Sequence, residues 1–143
     1  MMMDKRRTVA IYMRVARAPR AWIYCRTARP DAFALRVQQN ALYDFAEKNR
    51  YEVVGCTARH ESGVEMARPG LAEITNAVLR GGVDILLVHS ASRLGREPYA
   101  TLEFIGWLAE HGVEIVCMNG ELSALDTGRL LRTMQAVRNK ADL

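Results

Sequence analysis

The sequence predicts a three-layer α/β sandwich around a mostly parallel sheet of four or five strands. Short apolar runs with strand character alternate along the chain with longer segments of helical periodicity. Strands that alternate with helices pair in parallel, and the helices pack on both faces of the sheet. The chain has 143 residues and half of them are apolar, which is enough for one domain with one hydrophobic core.

The predicted strands and helices follow a regular order. Strands are expected at residues 21–26, 51–57, 84–89 and 113–118. Asp31 can cap a first helix that extends to about residue 49, while Pro69 and Pro98 open the second and third helices. Glycines end the second and third helices, at Gly81-Gly82 and at Gly112. The residues expected to face the core are Phe33, Leu35, Leu42, Phe45 and Ala46 in the first helix, Leu71, Ile74, Val78 and Leu79 in the second, and Leu102, Ile105, Trp107 and Leu108 in the third.

A last helix is predicted from Asp126 or Thr127 to the C-terminus. Its apolar residues form one narrow stripe, made of Leu130, Leu131, Met134 and Val137. The stripe is either a subunit interface, the stem of a longer helix, or ordinary packing on the surface of the domain. The chain accordingly divides into an N-terminal extension (1–20), the α/β domain (21–125) and the start of a long helix (126–143).

The N-terminal part is strongly basic and contains a short internal repeat. Residues 1–30 carry eight Lys or Arg and a single Asp, a net charge of +7, whereas the remaining residues carry a net charge of −3. A basic segment favours a polyanion such as DNA, although a solvated charged tail is an equal alternative. Residues 11–17 resemble residues 23–29, and this echo is a duplicated first strand, an extra edge strand or a chance similarity.

The composition excludes several classes of protein. Cys25, Cys56 and Cys117 are far apart and form no C-x-x-C pair, which indicates reduced thiols in a cytosolic protein and no metal site. No apolar run approaches the ~20 residues that span a membrane. Basic residues near the start are followed by no apolar signal core, so secretion is not expected.

Two arginines, Arg93 and Arg96, follow the third predicted strand in the segment Ser90–Arg96. Loops at the carboxyl ends of strands carry the active sites of α/β sheets. A planar guanidinium binds phosphate oxygens two at a time, so the segment indicates a phosphate site.

Further candidate residues follow the first two strands. Arg26 ends the first strand, while Ser62 and Arg68 lie between the second strand and the second helix. In a parallel sheet these loops open at the same edge as the Arg93 segment, so the side chains are expected to converge. Clustered guanidinium groups repel one another unless an anion lies among them.

Together these motifs resemble the catalytic domain of the serine recombinases, the resolvase/invertase family. The resemblance covers about residue 21 to the C-terminus, with the motifs in the family's order and at fitting spacing. The matching segments are Tyr24-Cys25-Arg26-Thr27-Ala28, Ala34-Leu35-Arg36-Val37-Gln38, Ser62-Gly63, Arg68-Pro69-Gly70-Leu71, Ser92-Arg93-Leu94-Gly95-Arg96, Gly112-Val113 and Asp126-Thr127-Gly128-Arg129.

The resemblance implies a fold, a reaction and partners. Family members attack a phosphodiester of double-stranded DNA with a serine, form a phosphoserine link, exchange strands within a tetramer and rejoin the ends. No cofactor or metal is implied, and we expect a cytoplasmic homodimer or homotetramer that assembles through the C-terminal helix. The resemblance implies that Arg26, Arg68, Arg93 and Arg96 bind the scissile phosphate, and that Gln38 and Ser62 position it.

The sequence departs from the family pattern at three places. Ala28 occupies the position of the nucleophile, and a methyl group cannot attack phosphorus. Ser92 stands where the family usually has an acid. The acid expected shortly before Ser62-Gly63 is also missing, since Ala58, Arg59 and His60 stand there. A single replacement would suit an engineered protein, whereas three favour natural loss of catalysis.

Three hypotheses follow from the sequence. The first is a recombinase-type domain that binds DNA phosphates but does not cut as written. The second is a non-catalytic oligomerisation or regulatory module that partners an active recombinase. The third is a flavodoxin-like binder of small phosphate compounds, which is disfavoured because residues 27–30 after the first strand form no glycine-rich loop.

Overall fold

The chain forms a parallel four-stranded sheet with helices on both faces. We describe a computed structural model over residues 17–121, together with 132 and 136. The strands are β1 (Arg20–Thr27), β2 (Glu52–His60), β3 (Ile85–Val88) and β4 (Glu114–Cys117), and the helices are α1 (Ala32–Lys48), α2 (Pro69–Arg80), α3 (Ala91–Leu94) and α4 (Pro98–Glu110).

The sheet has the strand order β2-β1-β3-β4, and every neighbouring pair is parallel. The prediction of a parallel α/β sandwich is thereby confirmed, and residues 17–121 contribute four strands to the sheet. Parallel pairing brings the carboxyl ends of all four strands to one edge of the sheet, which is the edge predicted to carry the candidate residues.

The two faces of the sheet are packed by different helices. The first core cluster joins Tyr24 and Leu86 to buried residues of α2 and α4. The second joins Ile23 and Leu87 to α1, whose buried residues are Gln38, Leu42 and Ala46. Because successive side chains of a strand point to opposite faces, Tyr24 belongs to the α2 and α4 side while Cys25 belongs to the α1 side.

Capping groups begin the helices where the sequence predicts. The Asp31 side chain accepts a hydrogen bond from the backbone N–H of Ala34, and Pro69 occupies the first turn of α2. Glu97, which the sequence analysis did not single out, caps α4 by accepting from the backbone N–H groups of Tyr99 and Ala100. Helix α3, a single turn inside the Ser90–Arg96 segment, was not predicted either.

The prediction that Phe33 and Leu79 face the core is wrong. Phe33 is 79% exposed and Leu79 is 60% exposed. Phe33 lies nine positions before the buried Leu42, which is two and a half turns, so it faces the opposite side of α1. Leu79 directly follows the buried Val78 and is turned about 100° away from it.

Some predictions fall outside the described residues. The N-terminal echo over 11–16 lies outside the described residues, and so does most of the predicted last helix with its apolar stripe. In that predicted helix, residues 132 and 136 are described, and both are helical and exposed. The limits proposed for the three parts of the chain therefore stay predictions. Within residues 17–121, no helix is both long and apolar enough to cross a membrane.

Candidate functional site

The candidate residues assemble at the carboxyl edge of the sheet. The end of β1, the loop between β2 and α2, and the α3 segment meet there through main-chain hydrogen bonds. The backbone N–H of Glu61 donates to the carbonyl of Thr27 at 2.9 Å, and that of Arg96 donates to the carbonyl of Gly63 at 2.9 Å. Three separate segments are therefore fixed against one another before any side chain is considered.

Arg26 is the centre of this assembly and is almost fully buried, with an exposed fraction of 2%. Its Nε donates to the carbonyl of Arg93 and its Nη2 to the carbonyl of Ser92, each at 2.8 Å. Its Nη1 donates to the carbonyl of Glu61 at 3.1 Å. One guanidinium thus binds the α3 segment and the β2–α2 loop to the end of β1.

The four arginines of the prediction lie close enough to influence one another. The pKa of Arg26 is lowered chiefly by burial, and the positive charges of Arg68, Arg93 and Arg96 lower it further. Gly63 leaves the space that the Arg26 guanidinium fills, since a Cβ at this glycine would lie 2.5 Å from Nη2. The predicted convergence is present in the structure.

Arg68 is also buried and is held by a polar group on each side. Its Nε donates to the Tyr24 hydroxyl at 3.1 Å and lies 3.5 Å from Oε1 of Glu61. Its Nη1 donates to the carbonyl of Glu65 at 2.6 Å, and its Nη2 donates to the carbonyl of Leu94. Burial raises the pKa of Tyr24 to about 12, while Arg68 opposes that rise.

Glu61 is a site residue that the sequence analysis overlooked. Positions 58–60 hold no acid, but Glu61 directly precedes Ser62, and its side chain is 11% exposed. Oε1 accepts from the Tyr24 hydroxyl at 3.1 Å, and Oε2 accepts from the backbone N–H of Gly70 at 3.2 Å. The adjacency of Glu61 to Ser62-Gly63 was the signal available in the sequence, and this carboxylate offsets one of the four positive charges.

Gln38 is buried in α1 and engages the main chain of β1. Its Oε1 accepts from the backbone N–H of Arg26 at 3.0 Å, and its Nε2 donates to the carbonyl of Arg26 at 3.2 Å. The amide therefore fixes the end of β1. This contact gives Gln38 a positioning role that acts through Arg26.

Arg93 and Arg96 are the more accessible arginines. Arg93 is half-buried and donates through Nη1 to the carbonyl of Arg26 at 3.1 Å. Its buried Nε has no hydrogen-bond partner among the residues that the structure describes. Arg96 is exposed and is attached to the site through its backbone N–H. Ser92 is exposed, and its Oγ lies 3.0 Å from Oγ of Ser90.

The remaining predicted residues lie at the surface of the same edge. Ser62 is exposed, and its Oγ accepts from the backbone N–H of Val64 at 3.2 Å. Ala28 is exposed directly after β1. The neighbouring Thr27 hydroxyl lies 2.5 Å from Nδ1 of His60, so it is engaged by β2.

The arrangement offers positive charge without acid clusters. No group of three or more His, Cys, Asp or Glu within the described ranges could hold a metal ion. Asp84 lies at the opposite edge of the sheet, where it pairs with Arg20 at 3.0 Å. Fixed guanidinium groups can stabilise charge that develops on a phosphate.

A cleft of about 430 Å³ adjoins the arginines on the α1 side. Arg93 belongs to both features, since it contacts Arg26 and also lines the cleft. The lining residues are Thr27, Phe33, Ala34, Val37, Gln38, Ala41, His89, Arg93 and Met118.

Comparisons with known proteins identify relatives of this chain. The sequence model of the family described as "Resolvase, N terminal domain" matches residues 9–142. The N-terminal catalytic domain of TP901-1 integrase superposes with a TM-score of 0.73 at 19% identity, covering 87% of this chain and 99% of that one. A resolvase family site-specific recombinase from Streptococcus pneumoniae gives a TM-score of 0.64 at 18% identity, with the same two coverages.

A further relative is more similar in sequence. The C-terminal catalytic domain of ISC1926 TnpA, an IS607-like serine recombinase, superposes with a TM-score of 0.65 at 26% identity. The match covers 80% of this chain and 79% of that one. These similarities establish the fold, and the family match extends over nearly the whole chain.

Proposed function

The chain belongs to the resolvase N-terminal domain family, and we propose that its arginine site binds a phosphodiester of double-stranded DNA without cutting it. The observation that carries this proposal is the meeting of four arginines at one edge of the sheet, where hydrogen bonds join Arg26 and Arg68 to the segment that carries Arg93 and Arg96. Glu61 pairs with Arg68, so this carboxylate offsets one of the four positive charges.

The four arginines have two different roles in the proposed site. Arg26 and Arg68 are buried and donate to main-chain carbonyls, so they shape the site and contribute charge from beneath. Arg93 and Arg96 contact the phosphate oxygens, because they are the two that reach solvent. Exposed Ser62 and Ser92 lie on the flanking segments and hydrogen-bond the phosphate from either side.

Ala28 decides the chemistry. The family reaction needs a hydroxyl oxygen that attacks phosphorus and replaces the leaving oxygen, and alanine supplies none. Thr27 does not substitute, because its hydroxyl faces His60 on the β2 side. The domain therefore holds DNA in the manner of a recombinase but forms no covalent link.

DNA binding tests the first half of the proposal. Fluorescence anisotropy with a labelled duplex should show affinity that falls steeply with salt, as phosphate contacts require. The double variant Arg93→Ala/Arg96→Ala should lose most of that affinity. Arg80→Ala is the matched control, because Arg80 is exposed at the end of α2, at the opposite edge of the sheet. Equal losses in both variants would contradict the proposed site.

Restoring the nucleophile tests the second half. Ala28→Ser should yield protein–DNA adducts that survive denaturation on a DNA site that the protein binds, whereas the wild type should yield none. Position 28 is exposed, so the added hydroxyl costs little in packing. If the variant binds the site and forms no adduct, the surrounding residues have also lost the ability to support the reaction.

A second function is favoured by the same alanine. A domain that keeps the fold and the arginine site but lacks the nucleophile is suited to join an active recombinase as a non-catalytic subunit. In that case it assembles into mixed tetramers through the predicted C-terminal helix and lowers their activity. Co-purification with an active family member, followed by a strand-exchange assay on the mixture, distinguishes this function from independent DNA binding.

A further inference from the structure

We propose that the cleft between α1 and the carboxyl edge of the sheet binds an unstacked nucleobase next to the phosphate held by Arg93. This inference rests on the proposed DNA binding and adds a reason for an exposed aromatic side chain. The cleft volume of about 430 Å³ lies within the range of small-molecule pockets.

Phe33 is the first observation in support. It has the largest exposed fraction, 79%, among the exposed large apolar side chains of the described residues, and it lines the cleft. Val37, one turn further along α1, is 51% exposed and lines it too. Ala34 and Ala41 line the cleft with small side chains, so this side of it is shallow. An aromatic face beside a shallow apolar wall is a surface on which a flat base can stack.

Arg93 is the second observation, because it joins the cleft to the arginine site. One face of its side chain contacts the carbonyl of Arg26, and the residue also lines the cleft beside Gln38. A nucleotide whose phosphate lies on Arg93 therefore has its base within reach of Phe33. His89 lines the cleft as well, and its imidazole can meet the edge of a base.

The charge around the cleft fits the same occupant. Arg93 places a cation in the lining, next to the apolar side chains of Phe33 and Val37. A nucleotide, which carries both a phosphate and a flat base, matches a cation beside an apolar wall. A purely apolar protein segment would offer no partner to the Arg93 guanidinium.

The experiment uses the full chain and two DNA hairpins, one fully paired and one carrying a single unpaired 2-aminopurine. Anisotropy at low salt should give at least about fivefold tighter binding to the hairpin with the unpaired base, since stacking on an aromatic side chain has this magnitude. Phe33→Ala should abolish the preference and leave the affinity for the paired hairpin within about twofold. Phe33→Leu, which keeps apolar volume without an aromatic face, should lose most of the preference for the unpaired base.

Tyr99→Ala is the matched control, because Tyr99 is an exposed aromatic residue on α4, away from the cleft. Equal binding of the two hairpins by the wild type, or a preference that survives Phe33→Ala, would overturn the inference while leaving the proposed function intact. A protein that binds neither hairpin refutes both. If Phe33→Ala alters self-association in sedimentation and leaves the hairpin preference unchanged, the cleft is a protein interface and the inference is wrong.

Discussion

The different roles of the buried and exposed arginines predict that substitutions of Arg26 and Arg96 affect different properties of the protein. Arg26→Met removes the donors to the carbonyls of Glu61, Ser92 and Arg93 while keeping the apolar length of the side chain. Arg96→Ala removes an exposed side chain and leaves its backbone hydrogen bond to Gly63 in place. The first variant should lose stability and the second should lose DNA affinity.

The magnitude for Arg26→Met follows from the three contacts. A hydrogen bond from a charged donor contributes about 1.5–3 kcal/mol, and all three carbonyls lose this donor. Removal of the buried charge recovers part of its desolvation cost, so the expected loss is about 3–5 kcal/mol of unfolding free energy. Because small domains are stable by only about 5–15 kcal/mol, a loss of this size is readily measured.

Denaturant unfolding followed by circular dichroism measures the stability effect. Arg96→Ala should remain within about 0.5 kcal/mol of the wild type, as exposed substitutions usually do. Its DNA affinity should decline, and the slope of log K against log salt should become shallower by about 0.9, the contribution of one phosphate contact. An Arg26→Met variant as stable as the wild type would refute these separate roles. An Arg96→Ala variant that unfolds at a clearly lower denaturant concentration would refute them too.

Three further predictions concern the residues around Arg26. Gly63→Ala should cost about 1–3 kcal/mol in denaturant unfolding, because the new methyl group meets the fixed Arg26 guanidinium, whereas Ser62→Ala beside it should be nearly neutral. The raised pKa of Tyr24, about 12, favours the protonated phenol in the folded state, so the stability it contributes is complete below pH 10 and is lost between about pH 10 and 12. The alkaline loss measured for the wild type should therefore exceed that for Tyr24→Phe by up to about 2 kcal/mol. Glu61→Gln should weaken the ion pair with Arg68 and lower the thermal midpoint, which differential scanning calorimetry measures.

The sequence supports the fold well because its signals are local. Asp31 and the first-turn prolines mark helix starts whatever the tertiary structure, and the alternation of strands and helices restricts the sheet to parallel pairing. The same topology predicts that Arg26, Arg68 and Arg93 meet at one edge. These inferences need no knowledge of individual side-chain contacts.

The roles within the site could not be predicted, because they depend on which backbone groups each side chain faces. A sequence shows four arginines, but it does not show that Arg26 binds three carbonyls while Arg96 reaches solvent. The role of Glu61 depends on its contacts with the Tyr24 hydroxyl and the backbone N–H of Gly70, which its position before Ser62 does not reveal. Phe33 was assigned to the core because it is apolar, and only its angular position relative to Leu42 reveals the error.

The contacts of Arg26 and Arg68 also change what the presence of family arginines implies. Both side chains fasten the β2–α2 loop and the α3 segment to the rest of the fold, because they donate hydrogen bonds to main-chain carbonyls of these segments. A chain with Ala28 needs them for folding whether or not it cuts DNA, so they say little about catalysis. Arg93 and Arg96 have fewer structural partners, and their effect on DNA binding is the sharper measure of what the domain still does.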